Sequence, residues 1–323
     1  MTPKFEASDF SNLVLEVHTV GYPTQGESIV TMLKDGDRVL FTVVTDSFCT
    51  DSSSDEVSAI LHRNGDPHIN IFVWTHPDED HSVGIENLLT TFDSQHEAIV
   101  YIPANISREL MNNDSARTAL DYLVANYNKM RRYNLSSIGS TQGIEPPYQS
   151  FVVKSRRTGR EIVGYFHFLL PDTSMSFRRA YHHVRNSGEM NDFSIVYVLS
   201  LNGLRYFYGA DMTKSSMKFL RTDKSQYLDN IRFIKIPHHG SKDSAKAVGL
   251  LKPYEEKKAV ATTTVFGATN PFAPSLDAYK SICAYVSSTD RGLEPFGCVQ
   301  MDFKVNDTLV PTPICRGNAK QVR

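Results

Sequence analysis

The chain has 323 residues, of which 41% are apolar, and its formal net charge is −2. This composition suffices for one large domain or two modest ones, and the charge gives no general indication of a nucleic-acid or membrane partner. The apolar runs are too short to span a bilayer, the first six residues lack a signal-peptide core, and the four cysteines form no C-x-x-C pair. We therefore expect a cytoplasmic protein with reduced thiols and no membrane partner.

The first half of the chain alternates strand-like and helix-like runs. A short β-branched and aromatic run over 69–74 predicts a buried strand. Helices are predicted over 83–89 and after an N-cap at Asp114 or Ser115. The other strands predicted in this half are 13–20, 28–33, 38–44 and 98–102.

The second half is richer in strands than in helices. Loops are predicted over 134–149 and 171–191, and a helix is predicted over 275–286. The predicted strands are 150–154, 161–170, 194–201, 204–208, 231–236, 257–265 and 298–304. This order favours a single α/β domain with two sheets and outer helices.

Polar side chains that favour metal binding follow three of the strands. Residues 75–81 read Thr-His-Pro-Asp-Glu-Asp-His, Asp211 follows a later strand, and His238 and His239 follow the strand over 231–236. Imidazole nitrogens and carboxylate oxygens bind Zn²⁺ and similar ions, and two-metal sites hold ions about 3.5–4 Å apart. Each cluster alone could be an ordinary solvated turn. Together, at strand ends, they predict a dinuclear metal site.

These residues resemble the metallo-β-lactamase fold family and, more narrowly, its ComEC-type competence hydrolases. The segments 75–81, 191–196, 209–211 and 235–242 are similar to the family patterns S/T-H-x-D-x-D-H, N-D-x-S, T-G-D and K-V-x-H-H-G-S-K. The resemblance implies an α/β fold, a metallo-β-lactamase αββα sandwich of two mixed β-sheets flanked by helices. A single domain of this kind would cover 1–323, with an insertion at roughly 104–160 and a C-terminal strand extension at roughly 290–323. Because the chain lacks the membrane channel of competence proteins, we expect a soluble stand-alone version.

The resemblance also implies a ligand set for two divalent ions. The implied metal ligands are His76, Asp78, Asp80, His81, Asp211 and His239. His76 and Asp78 would hold one ion, the other ligands would hold the second, and Asp211 would bridge the pair. Asp80 would in addition orient the nucleophile and so act as a catalytic residue.

The remaining site residues are implied with less specific roles. His238 would be catalytic as a contact to the substrate, although His238 and His239 could exchange roles. Asn191 and Ser241 would bind substrate.

The chain departs from the family pattern at two places. Met190 stands where many members have a third histidine on the first metal, and the open substitutes are His182, His183, Asn191 and Asp192. Ala273 stands where ComEC-type proteins often carry a further histidine. Because the first site shifts from nitrogen toward oxygen donors, Mn²⁺ competes with Zn²⁺ as its ion.

The implied function is that of a dinuclear metal-dependent hydrolase. We expect a phosphodiesterase or nuclease that acts on DNA, RNA or a nucleotide through a metal-bridging hydroxide. The segment 129–185 holds ten basic and three acidic residues, which favours a phosphate-containing substrate and possible nucleic-acid contact, although a solvated basic face explains it equally. The alternatives are an esterase, lactonase or phosphocholine-type esterase of the same fold, or a binding or regulatory protein with reduced catalysis.

Overall fold

The computed structural model describes residues 2–49, 55–129, 132–181, 190–256 and 258–322. The α-helices in these ranges are α1 (Glu56–Arg63), α2 (Ile85–Phe92), α3 (Asp114–Tyr127), α4 (Thr173–Tyr181), α5 (Lys214–Asp223) and α6 (Ala273–Lys280). The first strands are β1 (Lys4–Ala7), β2 (Leu13–Gly21), β3 (Glu27–Asp35), β4 (Arg38–Thr45), β5 (Ile71–Val73), β6 (Ile99–Pro103), β7 (Asn128–Lys129), β8 (Arg132–Tyr133) and β9 (Leu135–Ile138). The later strands are β10 (Tyr148–Ser155), β11 (Glu161–Leu170), β12 (Val196–Leu201), β13 (Leu204–Tyr208), β14 (Ile231–Lys235), β15 (Ala259–Thr263), β16 (Cys283–Ser288), β17 (Gly297–Lys304), β18 (Ile314–Gly317) and β19 (Lys320–Gln321).

Two mixed sheets account for almost all of these strands. The N-terminal sheet has the order β18-β17-β2-β3-β4-β5-β6-β9, and the C-terminal sheet has the order β1-β10-β11-β12-β13-β14-β15-β16-β19. Strands β7 and β8 form a separate two-stranded ribbon. Each large sheet combines antiparallel hairpins with a parallel block, β4-β5-β6-β9 in one and β13-β14-β15-β16 in the other.

Three apolar layers show how the sheets and helices stack. One layer lies between the sheets, a second between the N-terminal sheet and α1–α3, and a third between the C-terminal sheet and α5 and α6. Strand β5 shows the sequence basis, because Ile71 and Val73 enter the layer between the sheets while Phe72 enters the helix side. A strand that is apolar on both faces must pack against other elements on both faces. The layers and sheet orders confirm the predicted fold class, the αββα sandwich.

Most predicted strands are confirmed, but three predicted segments were wrong. The loop over 134–149 contains β9, a polar strand that is held by parallel pairing to β6. The loop over 171–191 contains α4, whose first turn is capped by the Asp172 carboxylate accepting from the backbone of Ser174 and Met175. The helix over 275–286 ends at Lys280, after which β16 pairs with β15. In each segment a tertiary contact or a cap overrode a weak local pattern.

The predicted domain limits stay a prediction. Strands β9 and β10 lie within the expected insertion or at its end, and they join the N-terminal and the C-terminal sheet respectively. In the C-terminal extension, β17 pairs with β2 along its whole length. Within the described ranges, none of the helices combines the length and apolarity needed to cross a bilayer.

Candidate metal centre

The carboxyl ends of parallel strands bring the predicted ligands to one edge of the sandwich. A 3₁₀ turn at Glu79–His81 follows β5, Asp211 follows β13, and a 3₁₀ turn at His238–Gly240 follows β14. A side chain at Gly209 would place its Cβ 2.7 Å from the Lys235 carbonyl oxygen. Glycine therefore lets the ends of β13 and β14 converge, which brings Asp211 close to the histidine turn.

The ligand atoms of these loops lie within coordination range of one another. His76, His81 and Asp211 form one group, and Asp80, His81 and His239 form a second, with ligand atoms within 4.8 Å in each. The Asp211 carboxylate is 3.9 Å from Nε2 of His76, 3.8 Å from Nε2 of His81 and 3.6 Å from Nε2 of His239. Asp211 therefore stands where a bridging carboxylate would stand.

Buried acceptors fix the orientation of all three histidine rings. Nδ1 of His81 lies 2.7 Å from the Asp46 carboxylate, and Nδ1 of His76 lies 3.0 Å from the Thr75 hydroxyl. The Thr75 hydroxyl donates its proton to Asp46, so its oxygen is left to accept from His76. Both rings therefore donate from Nδ1, which leaves Nε2, facing the cluster, as the atom that would bind a metal once it carries no proton.

His239 is held in the same way by a longer chain of bonds. Its Nδ1 lies 2.7 Å from the Thr264 hydroxyl, which donates to Glu27 at 2.6 Å. The buried Lys235 ammonium lies 2.6 Å from the same Glu27 carboxylate and compensates its charge. Because the Thr264 proton is committed to Glu27, the Thr264 oxygen can only accept from His239. Nε2 of His239 therefore faces the cluster, 3.1 Å from the Asp80 carboxylate, and is the atom that would bind a metal once it carries no proton.

The inward atoms of the cluster have no hydrogen bonds. Among the described residues, Nε2 of His76, His81 and His239 and one carboxylate oxygen each of Asp80 and Asp211 are buried without a hydrogen-bond partner. Unsatisfied buried polar atoms are costly, and here they converge on one volume. Three imidazole nitrogens with two carboxylates form the donor set that zinc and similar divalent ions prefer. The residues therefore fit a metal centre.

The carboxylates and imidazoles of the cluster shift one another's pKa values. Burial opposes ionisation of Asp80, but His81 and His239 outweigh it and hold the pKa of its carboxyl well below its ordinary value. Burial opposes protonation of His81, but Asp80 and Asp46 outweigh it and raise the pKa of the imidazole well above its ordinary value. The pKa of Asp211 is lowered although burial acts to raise it, because His239 is close by. An imidazole binds a metal only through an unprotonated nitrogen. Metal binding here would therefore release protons from the histidines.

The other predicted site residues lie at the rim of the cluster. Asp78 is half-buried, 3.6 Å from Nε2 of His76. His238 is one-third exposed and lies 3.9 Å from Asp211. The Asn191 amide lies 3.3 Å from Nε2 of His238, whose exposed third is the side on which solvent reaches the cluster, here called the opening. Ser241 ends the turn, and its carbonyl accepts the Ser275 hydroxyl at 2.7 Å.

The position of the missing third histidine is filled by packing residues. Met190 is buried against Phe193. Asp192 is directed away from the cluster, because its carboxylate accepts from Arg179 at 2.8 Å and from Thr213 at 2.9 Å. Of the open substitutes, His182 and His183 lie outside the described residues. Among the described residues assigned as ligands, the first ion would be held by one imidazole, His76, and the second by two, His81 and His239.

Sequence reasoning did not assign Asp46, Thr264 and Glu27 to the site. Asp46 and Thr264 each follow a strand of a parallel block directly, β4 and β15. The rule that located the ligands, polar residues at strand ends, would have found both. Glu27 begins β3, and its buried contacts to Lys235 and Thr264 give no signal in the sequence.

The fold and the site define a class, an αββα sandwich with a candidate binuclear metal centre at one edge. No family model matches the sequence, and no curated protein matches it. Among solved structures, the chain is similar to a metallo-beta-lactamase fold protein, YhfI from Bacillus subtilis, at 8% identity with a TM-score of 0.41, covering 90% of this chain and 100% of that one. It is also similar to the chemotaxis sensor ODP, solved as a peroxy diiron species, at 14% identity with a TM-score of 0.31, covering 73% of this chain and 79% of that one. The assignment of the fold rests on the sheet orders and layers described above.

Proposed function

We propose that this protein is a metal-dependent hydrolase and, more specifically, a phosphodiesterase of the metallo-β-lactamase superfamily, of ComEC-like type. The observation that carries the proposal is the convergence of unsatisfied Nε2 and carboxylate atoms around Asp211. His76, Asp78 and Asp211 would hold one divalent ion, and Asp80, His81, His239 and Asp211 would hold the other. Zinc and manganese both suit this mixture of nitrogen and oxygen donors.

A bound ion pair would supply Lewis acidity, which lowers the pKa of a water molecule toward about 7 and stabilises developing negative charge. The residues of the chain have separate tasks. Asp46, Thr75 and Thr264 keep the ligand imidazoles in the Nδ1–H form. His238, which is one-third exposed and in contact with Asn191, would bind the phosphoryl oxygens or the leaving group.

Phosphate esters are favoured over lactones by the cations around the opening. Arg178 and Lys214 are exposed on α4 and α5, two helices joined through Asp192 next to Asn191. A polyanionic substrate gains from such cations, whereas a neutral lactone does not. The first alternative is an esterase or lactonase with the same residues. The second alternative is a binding protein that takes up metal without turnover.

The test is hydrolysis of bis-para-nitrophenyl phosphate against a lactone panel by protein loaded with Zn²⁺ or Mn²⁺. We expect turnover of the diester, loss of at least about 100-fold in Asp80→Ala, and unchanged turnover in the control Asp37→Ala, an exposed turn residue. Metal content is measured in parallel. Turnover of lactones alone would reject the phosphodiesterase, and two bound ions without any turnover would favour the binding protein.

A further inference from the structure

Helices α4 and α5 meet at the mouth of the candidate metal centre. The Asp192 carboxylate accepts from Arg179 on α4 at 2.8 Å and from Thr213, the N-cap of α5, at 2.9 Å. Asn191, its neighbour in the chain, contacts His238 at the opening. Asp192 and Asn191 therefore connect the α4–α5 surface to His238, which lies 3.9 Å from Asp211 of the metal centre.

The surface around α5 carries several exposed cations, and among the described residues the only carboxylate shown to act on two of them, Lys214 and Lys242, is Asp243, which pairs with Lys246. Arg178, Lys214, Lys218, Arg221 and Lys242 are all exposed, and none of them forms an ion pair with another described residue. We call these five residues the α5 cation cluster. Mutual repulsion of unpaired cations is unfavourable, so such a cluster suits a polyanion that neutralises several charges at once.

Four residues of the α5 cation cluster, all except Lys242, line two concave surfaces. A cavity of about 370 Å³ lies between α4 and α5 and is lined by Arg178 and Lys218. A second cavity of about 390 Å³ is lined by Lys214, Lys218 and Arg221. Lys218 lines both cavities, so the two concave surfaces adjoin at this residue of α5.

An exposed aromatic pair lies on α4 at the edge of this surface. Phe177 is 61% exposed and Tyr181 is 72% exposed, on successive turns of the helix. Their ring centroids are 6.4 Å apart with an interplanar angle of 21°, so the two planes are nearly parallel. Exposed, nearly parallel rings on a helix that also presents the cation Arg178 are an arrangement on which nucleic-acid bases stack.

We propose that the α4–α5 surface binds a single polynucleotide strand. The α5 cation cluster contacts its phosphates, Phe177 and Tyr181 stack on its bases, and the strand leads to the metal centre. The cleavage of that strand rests on the proposed phosphodiesterase function, whereas its binding does not.

The basic residues of the β10–β11 hairpin do not belong to this surface. Arg156 pairs with Glu6 at 2.9 Å and Arg157 pairs with Asp9 at 2.6 Å. Gly164 near this hairpin pairs with Leu201 at the end of β12, whereas the metal centre adjoins the start of β12. The hairpin therefore lies at the opposite end of the C-terminal sheet, away from the basic residues of α4.

The test measures binding by the metal-loaded protein, by anisotropy of a labelled single strand of about 20 nucleotides with phosphorothioate linkages, which resist cleavage. Lys218→Glu/Arg221→Glu is expected to weaken binding at least about tenfold and to lower the salt slope by roughly 1–2. Phe177→Ala is expected to weaken it about fivefold or more. The matched control is Lys154→Glu/Arg160→Glu, the same charge change on exposed residues of the β10–β11 hairpin, which should bind as the unaltered protein does.

Three outcomes would overturn the proposal: no binding by the unaltered protein, equal losses in the variant and its control, or equal affinity for duplex DNA of the same charge with no effect of Phe177→Ala. The same variants are assayed on bis-para-nitrophenyl phosphate, which is too small to need the surface and should be turned over normally. Diester turnover without strand binding would reject the surface and keep the phosphodiesterase. Strand binding without diester turnover would reject the phosphodiesterase and keep the binding surface.

Discussion

The three buried histidines of the metal centre differ in the acceptor that orients them. Asp46 holds His81 directly with a charge, whereas Thr75 and Thr264 hold His76 and His239 with a hydroxyl. A hydroxyl can either donate or accept a hydrogen bond. It therefore determines the tautomer of the histidine ring only if its own proton is donated to another acceptor. Asp46 and Glu27 take those protons, and each buried carboxylate thus determines a histidine tautomer through a threonine.

Substitution of Thr264 tests this relay. Thr264→Val removes the acceptor of the His239 Nδ1–H while it preserves the volume of the side chain. We expect a loss in metal affinity of about 10–100-fold, as for other outer-shell partners of metal ligands. Competition with a chromophoric chelator measures the affinity without reference to activity. Thr264→Ser keeps the hydroxyl and should bind nearly as well; an equal loss in both variants would contradict the relay.

At the scale of elements, edge contacts hold the N-terminal strand to the sandwich. The Asp35 carboxylate at the end of β3 accepts from the backbone and the hydroxyl of Ser8, both at 2.6 Å, and from Arg38. Ser8 directly follows β1, which belongs to the other sheet. Asp35 therefore ties the two sheets together at the end of β1.

The Asp35 contact should depend on pH. Burial acts to raise the pKa of Asp35, but the bonds from Ser8 and Arg38 outweigh it and lower the pKa below its ordinary value of 3.8. The stabilisation is therefore complete above pH 3.8 and is lost as the pH falls through the lowered folded value. We expect Asp35→Asn to reduce the free energy of unfolding by about 1–2 kcal/mol at neutral pH and by much less near the lowered pKa. Urea titrations at several pH values measure this, and a pH-independent difference would contradict it.

At the scale of the whole molecule, the metal centre joins the two halves of the sandwich. His76, Asp80 and His81 follow the N-terminal sheet, whereas Asp211 and His239 follow the C-terminal sheet. Bound ions would therefore cross-link the sheets, and they would also satisfy the buried atoms that have no hydrogen bonds.

Metal removal should therefore destabilise the entire fold. At a free ion concentration about 1,000 times Kd, binding stabilises the folded state by about 4 kcal/mol. We expect chelation to lower the Tm of the loaded protein by several degrees, as measured by calorimetry. Asp211→Asn should show a much smaller metal-dependent shift, and a Tm independent of metal in the unaltered protein would argue against the site.

The sequence by itself determined the strands with continuous apolar runs, the fold class, and the candidate ligands that follow those strands. A largely apolar run such as 69–74 predicts a strand that is buried on both faces, whichever strands lie beside it. The prediction therefore does not depend on knowing its distant partners. Only the tertiary structure decided that β9 is a strand and that Asp192 points to Arg179. It alone also decided that Glu27 and Thr264, 237 residues apart, act on one histidine. A hydrogen bond between residues so far apart has no local signature, because it exists only once both sheets have brought their edges together.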